Sequence, residues 1–334
     1  MIGRRTGTWL IGLLAVHAMR GQDAQFTQFY AVPTYLSPAF AGTGLQTRVG
    51  LAVRDQWPAF PGAFVSTNFA IDHFMPGVNS GVGLLVSHDR AGSGALRYTN
   101  ITGQYAYEIE LKRKVFLRPA LQIGWGNHAV DYSKLVFSDQ LARGGSVGTY
   151  EYLMGRSINY ADFGGGLLYF TPKYWLGAGF HHLNRPNQSL LGNEARMPMK
   201  FSLHGGWRTT FRTPIIKEHP QNLVLAFNYK AQGKYDQLDV GGYFERAPFY
   251  AGLWYRGIPI VKRYEPGYAN RDALAVLAGV IINGMRIGYS YDLTISRLTG
   301  QSGGAHEITL GYEMASQSKK RSMSRRRVVP CAKF

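Results

Sequence analysis

Between Arg286 and Met314 the chain alternates. Ile287, Tyr289, Tyr291 and Leu293 fall on one face of an extended segment, with Arg286, Gly288, Ser290 and Asp292 on the other. After a Gly/Ser-rich turn the pattern returns, with Ile308, Leu310, Tyr312 and Met314 opposed to Glu307, Thr309, Gly311 and Glu313. Neighbouring side chains of a strand point to opposite faces, so a period of two predicts a hairpin with one apolar, aromatic face and one polar, small-residue face. The same pattern recurs down most of the chain. Strands are expected at 46–56, 62–72, 79–90, 95–111, 114–130, 156–170, 173–183, 197–213, 222–232, 236–246, 248–258, 272–283, 285–294 and 304–314. In the fourth, Ile101, Tyr105, Tyr107, Ile109 and Leu111 oppose Asn100, Thr102, Gln104, Glu108 and Glu110. In the fifth, Val115, Leu117, Leu121, Ile123 and Trp125 oppose Arg118, Gln122 and His128. In the ninth, Leu223, Leu225, Phe227 and Tyr229 oppose Asn222, Asn228 and Lys230. The twelfth is apolar on both faces from Leu274 to Ile282, so one side of it is expected to press into a packed interior.

About fourteen strands, an even number, with apolar faces rich in Tyr, Trp and Leu, predict an all-β fold: a transmembrane antiparallel β-barrel. Connection lengths point the same way. Lys112-Arg113, Thr171-Pro172, Arg246-Ala247 and Asn283-Gly284 are short, whereas 131–155, 184–196, 259–271 and 295–303 are long. Short periplasmic turns and longer outer loops are usual for such barrels, and this places both termini in the periplasm. Two connections break the rule: 213–221 is long where a short turn is due, and 231–235 is short where a loop is due. A soluble β-sandwich would also alternate, but it needs a polar outward face.

Composition sharpens this picture. Charged residues are 17% of the chain, with 41 Gly and 21 Tyr, against about 25% charged in ordinary soluble domains. The net charge is +17, but its densest parts are the two ends. Basicity of that kind is no nucleic-acid footprint. Arg4 and Arg5 followed by the apolar run Trp9 to Ala18 read as a signal peptide over 1–21, cleaved after Ala18 or, preferably, Gly21. The run is too short to span a bilayer. Cys331 is the lone cysteine, which excludes an intrachain disulfide framework.

Residues 22–45 form an N-terminal arm ahead of the barrel domain, 46–314. The arm has no clear period, carries Pro33 and Pro38, and is too apolar for a free tail. Pro disrupts both helix and central strand, so an irregular arm buried as a plug in the lumen is expected. A basic tail, 315–334, follows the barrel. Lys319, Lys320, Arg321, Arg325, Arg326, Arg327 and Lys333 make it cationic, and Val329, Pro330 and Phe334 give its end an apolar character. The basic residues would steer towards an acidic periplasmic partner while the apolar end docks.

No catalytic constellation or cofactor motif stands out, and no enzyme is expected. His181-His182 should point to opposite faces, which argues against a shared metal. Asp72-His73 and His88-Asp89 read as solvated residues at strand ends. Gly164-Gly165-Gly166 lacks the setting of a phosphate loop and reads as relief of crowding within a strand.

The arm also carries a resemblance. QDAQFTQFYAVPTYLSPAFAGT resembles the start of mature type IX secretion system membrane proteins of the PorP/SprF family, an Asp-Pro-Gln-Phe-Ser-Gln-Tyr-like run leading to Asn-Pro-Ala-Tyr-Ala-Gly. Gln25, Phe26, Gln28, Pro38, Ala39, Ala41 and Gly42 sit where that pattern puts them, with Ala24 in place of the early Pro and Ser37 in place of the Asn. Arg54-Asp55-Gln56-Trp57 with Pro61-Gly62-Ala63, the closing hairpin and Val329 to Phe334 are also similar to the family's pattern. The resemblance implies a Bacteroidota outer-membrane barrel acting in protein secretion and gliding motility. It would be a scaffold or attachment partner for a secreted adhesin or cargo, working with a periplasmic peptidoglycan-associated protein and other type IX components. An outer-membrane porin or apolar-solute transporter is the competing expectation.

Overall fold

The computed structural model describes residues 22–44, 46–92, 96–144, 148–150, 157–190, 192–211, 221–265, 268–296, 298–314 and 329–330, without the side chains of 259–269. The expected signal peptide lies outside these residues. Fifteen strands run in chain order: β1 (Arg48–Gln56), β2 (Phe64–Met75), β3 (Ser80–Ala91), β4 (Leu96–Tyr107), β5 (Ile109–Lys112), β6 (Val115–Val130), β7 (Ser157–Phe170), β8 (Tyr174–His181), β9 (Lys200–Phe211), β10 (Gln221–Gln232), β11 (Tyr235–Arg246), β12 (Phe249–Glu265), β13 (Tyr268–Ile282), β14 (Met285–Thr294) and β15 (Ala305–Glu313). They follow one another antiparallel around the sheet, and β1 pairs with β15 to close the ring. Both β4 and β5 pair with β6, so they are one stave interrupted at Glu108. The wall is therefore a closed barrel of fourteen staves.

Register converts the alternation into two surfaces. Ile287 faces Leu310 and Tyr289 faces Ile308, all on the outside, while Gly288 faces Thr309 and Ser290 faces Glu307 within. Further round the barrel Val86, Ile101 and Trp125 stand in one outward row across three strands. Leu121, Ile123 and Ile308 are each more than half exposed. A soluble protein rarely spreads so much contiguous apolar surface. In a bilayer the same surface meets acyl chains, and closure leaves no unpaired backbone edge in lipid.

The strands follow the expected positions closely. One connection differs: 259–271, expected as a loop, is mostly strand, because β12 runs on to Glu265 and β13 already starts at Tyr268. Register shifts at Arg256/Gly257 and between Ile258 and Arg263 accompany the extension, with Gly257 at φ +140. Once a hairpin rises past the lipid, no apolar face marks its strands, so the pattern fades before the ladder ends. Asp72 and Asp89 are likewise not solvated end residues but lie within β2 and β3, and Asp72 is 3% exposed.

The barrel has a turn end and a loop end. Short links such as Asn283–Gly284 and Ala247–Pro248 join strands at the first, where β1 begins and β15 finishes. Connections 57–63, 131–156, 182–199 and 295–304 stand at the second, and the longest carries the one-turn helix Ser138–Ala142. Of the two expected exceptions, Gly233–Lys234 is a short link at the loop end, and 212–220 lies outside the described residues.

The interior departs from a simple polar lining. Trp175, Trp254, Tyr243, Phe116, Phe170 and Leu168 point inward and are almost wholly buried. From β13, Ala275 and Leu277 join them, as its two-sided apolar pattern required. Aromatic side chains can turn inward here because protein, not water, fills this part of the lumen.

Replacing a lipid-facing residue checks the wall. Leu121→Arg should cost about 2–4 kcal/mol near the bilayer midplane, measured by denaturant unfolding in lipid vesicles. A cost within about 0.5 kcal/mol of zero, as expected of an ordinary water-exposed site, would contradict the lipid contact.

Candidate functional site

The lumen holds the arm. It enters at the loop end, where Asp23 meets residues of β9 and β10, and leaves at the turn end, where Gly44 leads towards β1. Residue 22 thus lies at the opposite end from the start of β1, whereas the connection lengths led to both termini on one side; the arm threads the lumen between the two ends. The arm is therefore a strap running the length of the barrel. Pro33 begins a single helical turn, Pro33–Leu36, and Pro38 begins a 3-10 turn, Pro38–Phe40, with the Ser37 hydroxyl accepting a hydrogen bond from the Ala39 amide. Pro at the first helical position sacrifices no hydrogen bond, and these turns take up the chain's length inside a narrow tube.

Three groups of wall residues hold the strap. In the loop-end half of the lumen the Thr27 hydroxyl donates to Asp292 Oδ1 at 2.7 Å and accepts from Arg54 Nη1 at 2.9 Å and Arg256 Nη2 at 3.1 Å. One donor and two lone pairs are all a threonine hydroxyl has, so it is fully used. The backbone N–H groups of Thr27 and Gln28 donate to the two oxygens of Glu307 at 2.7 and 2.8 Å. Arg54 bridges Asp292 and Glu307, while Arg256 bridges Asp292 and Asp239, which also receives Lys230. Three cations meet three carboxylates, contributed by β1, β10, β11, β12, β14 and β15. Burying charges costs several kcal/mol per ion, so this balance fixes geometry more than it adds stability.

At the loop end Asp23 accepts from Lys200 Nζ and from the His182 ring, each at 3.0 Å, and exchanges hydrogen bonds with the Gln232 carboxamide at 2.9 and 3.0 Å. His182 also contacts Asp162 at 3.0 Å. Burial alone would raise the Asp23 carboxyl, but Lys200 and His182 overcome it and hold the group well below the usual carboxylate range. Burial alone would lower His182, yet the Asp23 and Asp162 carboxylates raise it to about 9. At the turn end Arg118 donates to the Ala39 and Ala41 carbonyls and to Glu108 Oε2, and Asp72 accepts from the Gly42 amide at 2.7 Å and from Arg48.

Glycine on the inner face lets the strap approach. A Cβ on Gly81 would lie 2.0 Å from the Ala41 carbonyl oxygen, and one on Gly166 would lie 2.3 Å from Ser37 Oγ. The Gly164–Gly166 run relieves crowding against the strap and against Gln122. Between the polar groups, Phe29 packs edge-on to Trp254 and Tyr30 edge-on to Trp175, at centroid distances of 4.9 and 5.7 Å. The Trp175 Nε1–H donates to the Tyr30 hydroxyl at 3.2 Å.

All seven residues singled out in the arm are buried or nearly so. Gln25 accepts from Lys230, Phe26 packs on Tyr35 at 5.3 Å, and Gln28 accepts from Thr309 at 2.9 Å. Pro38, Ala39, Ala41 and Gly42 make the turn-end contact. In the tail, Val329 is 1% exposed and belongs to the same apolar cluster as Phe29 and Tyr30, and Pro330 beside it is buried. Lys319, Lys320, Arg321, Arg325, Arg326, Arg327, Lys333 and Phe334 lie outside the described residues. Sequence reading missed the wall side of the site: Arg54, Arg256, Asp239, Asp292 and Glu307. Their signal was available, since each is a charge on the inward face of a membrane strand. The two histidines also differ from expectation. The strand ends at His181, and His182 adopts φ +58, which turns both rings inside at a centroid distance of 6.3 Å.

The family model described as "Type IX secretion system membrane protein PorP/SprF" matches residues 18–312 of the chain. No curated protein matches it. Among solved structures, a mutant of the TodX monoaromatic hydrocarbon channel is 12% identical with a TM-score of 0.44, covering 87% of this chain and 95% of that one. CdiB from Acinetobacter baumannii is 12% identical with a TM-score of 0.37, and the match covers 80% of this chain and 60% of that one. The NanC porin is 9% identical with a TM-score of 0.36, covering 81% and 100%. Scores this low carry no argument about what the chain does.

Thr27→Val leaves two buried guanidinium donors unpaired and should cost about 1–3 kcal/mol, read by denaturant unfolding in vesicles. A second expectation concerns pH. His182 is raised when folded, so its contribution is full below about 6.5 and fades as pH rises through about 9. Amide exchange of residues 23–27 should therefore accelerate, beyond its intrinsic rise, between about pH 7 and pH 10. His182→Asn should lose that extra step.

Proposed function

The chain belongs to the type IX secretion system membrane protein PorP/SprF family, and on that premise we propose that it works as a scaffold or surface-attachment barrel and not as a solute pore. It is an outer-membrane β-barrel of type IX secretion. The observation that carries the finer reading is the strap. Thr27 and Gln28 sit among six charged side chains of the wall, and the aromatic layer around Phe29 and Tyr30 packs the space beside them. A wall so fully committed to its own N-terminal segment makes a rigid cylinder with two faces to offer.

In this reading the turn end faces the periplasm and the loop end faces the surroundings. The basic residues from Lys319 to Arg327 draw an acidic, peptidoglycan-associated periplasmic component of the machinery, since charge steers association over distances beyond contact. Val329 and Pro330 serve the barrel's own interior, which tethers the run close to the turn end. The loop end receives a secreted adhesin or cargo. The runner-up, a porin or apolar-solute transporter, needs a clear path where the strap lies.

Replacing Lys319, Lys320, Arg321, Arg325, Arg326 and Arg327 by Gln, with Val329 and Pro330 kept, should spare barrel assembly and strip periplasmic components from the affinity-purified protein. Unchanged co-purification would refute the basic contact. Stepwise conductance of the wild-type chain in planar bilayers would favour the pore reading.

A further inference from the structure

At the loop end a cavity of about 680 Å³ lies between residues 22–25 and the ends of the surrounding strands. We propose that this cavity is a binding site for a neutral saccharide, such as a short stretch of surface polysaccharide. The assignment deepens the reading above, because access from outside requires the loop end to face outward.

The chemistry offered by the inner lining is mostly uncharged. Six carboxamides contribute to it, among them Gln22, Gln56 and Asn270, while the charges beside them are engaged. Lys200 is held by Asp23 and Lys230 by Asp239, Asp272 accepts from Gln237 at 2.9 Å, and Asp236 accepts from the Tyr229 hydroxyl at 3.1 Å. Lys234, the remaining cation of the lining, stands exposed in the β10–β11 turn at the rim. Carboxamides donate and accept in one plane, which suits vicinal hydroxyls that also do both. Gln232, Gln25, Gln56 and Gln237 each spend part of this capacity on the wall or the strap, and an apolar solute would strip water from what remains, at a cost of about 1–3 kcal/mol for each group left unsatisfied.

Trp57 is the second, independent observation. It lines the cavity at φ +61, a region where a bulky side chain is a backbone outlier. The strain is held in place: its N–H donates to the Gly304 carbonyl at 2.8 Å and its ring meets Phe64 edge-on at 5.7 Å. Such strain persists where the surroundings over-determine it, and it clusters at functional sites. The result is an indole fixed in the wall of a carboxamide-lined space, with the half-exposed Tyr235 also on its lining. Flat aromatic rings offer the apolar C–H face of a pyranose a surface that carboxamides cannot. The volume falls within the range of pockets for small ligands, roughly 300–1,000 Å³, enough for a few sugar units.

The test uses the full chain purified in detergent micelles, fluorescently labelled and applied to an array of neutral oligosaccharides, acidic oligosaccharides and peptides. Neutral oligosaccharides should bind, and titration calorimetry of those ligands should give at least about tenfold weaker affinity for Trp57→Gly, a difference of about 1.4 kcal/mol. Glycine suits the left-handed backbone at this position, so the variant should retain its Tm. Tyr235→Ala, at the exposed start of β11, gives a second reading should Trp57→Gly fold poorly, and it too should weaken binding. Absence of neutral-glycan binding, binding confined to acidic glycans or peptides, or undiminished affinity in the folded variants overturns the assignment. Labelling of Lys234→Cys by a membrane-impermeant reagent on intact cells reports separately on whether the loop end faces outward.

Discussion

A single hydroxyl, that of Thr27, joins two guanidinium groups to a carboxylate inside the barrel, and the remainder of the structure is arranged to make that junction possible. Charges are taken out of water only where opposite charges and hydrogen bonds replace the solvent. Here the replacement needs Arg54, Arg256 and Asp292 from three strands, Glu307 from a fourth, and the backbone N–H groups of the strap itself. The wall alone does not complete this set. The strap is thus a structural element of the barrel as much as a segment within it.

The same constraint accounts for the two surfaces. Outward residues meet lipid and are apolar with little else asked of them. Inward residues divide by height: charges where the strap's backbone and hydroxyl groups lie, aromatics where Phe29, Tyr30 and Phe40 lie, and glycine where the backbone touches the wall, as at Gly81 and Gly166. A polar interior in a barrel is usually matched to water. This one is matched to a particular stretch of chain, residue by residue, and a scaffold reading follows more naturally from that match than a conduit does.

The strap also makes the two ends chemically unlike. At the turn end Arg118, Asp72 and Arg48 close over the Ala39–Gly42 segment, and Val329 is drawn into the apolar cluster. At the loop end Asp23 is held in its own cluster, and a cavity lies beside it. One end is sealed with protein and the other is cupped.

The alternation from Arg286 to Met314, and its repetition in the other strands, determined the wall, because which face a strand residue takes is set by its immediate neighbours and by the medium on each side. It fades where lipid ends, which is why β12 and β13 outran their pattern beyond Gly257. The arm's composition determined that it would be buried, since Phe26, Phe29, Tyr30 and Phe40 cannot stay in water. What only the tertiary structure decided is which inward residues hold it. Thr27 and Glu307 are 280 positions apart and Asp23 and Lys200 are 177 apart, and nothing local in either member of such a pair announces the other. Their meeting follows from the closure of the ring, which brings β1 beside β15 and sets the strap's backbone at the height of their charges.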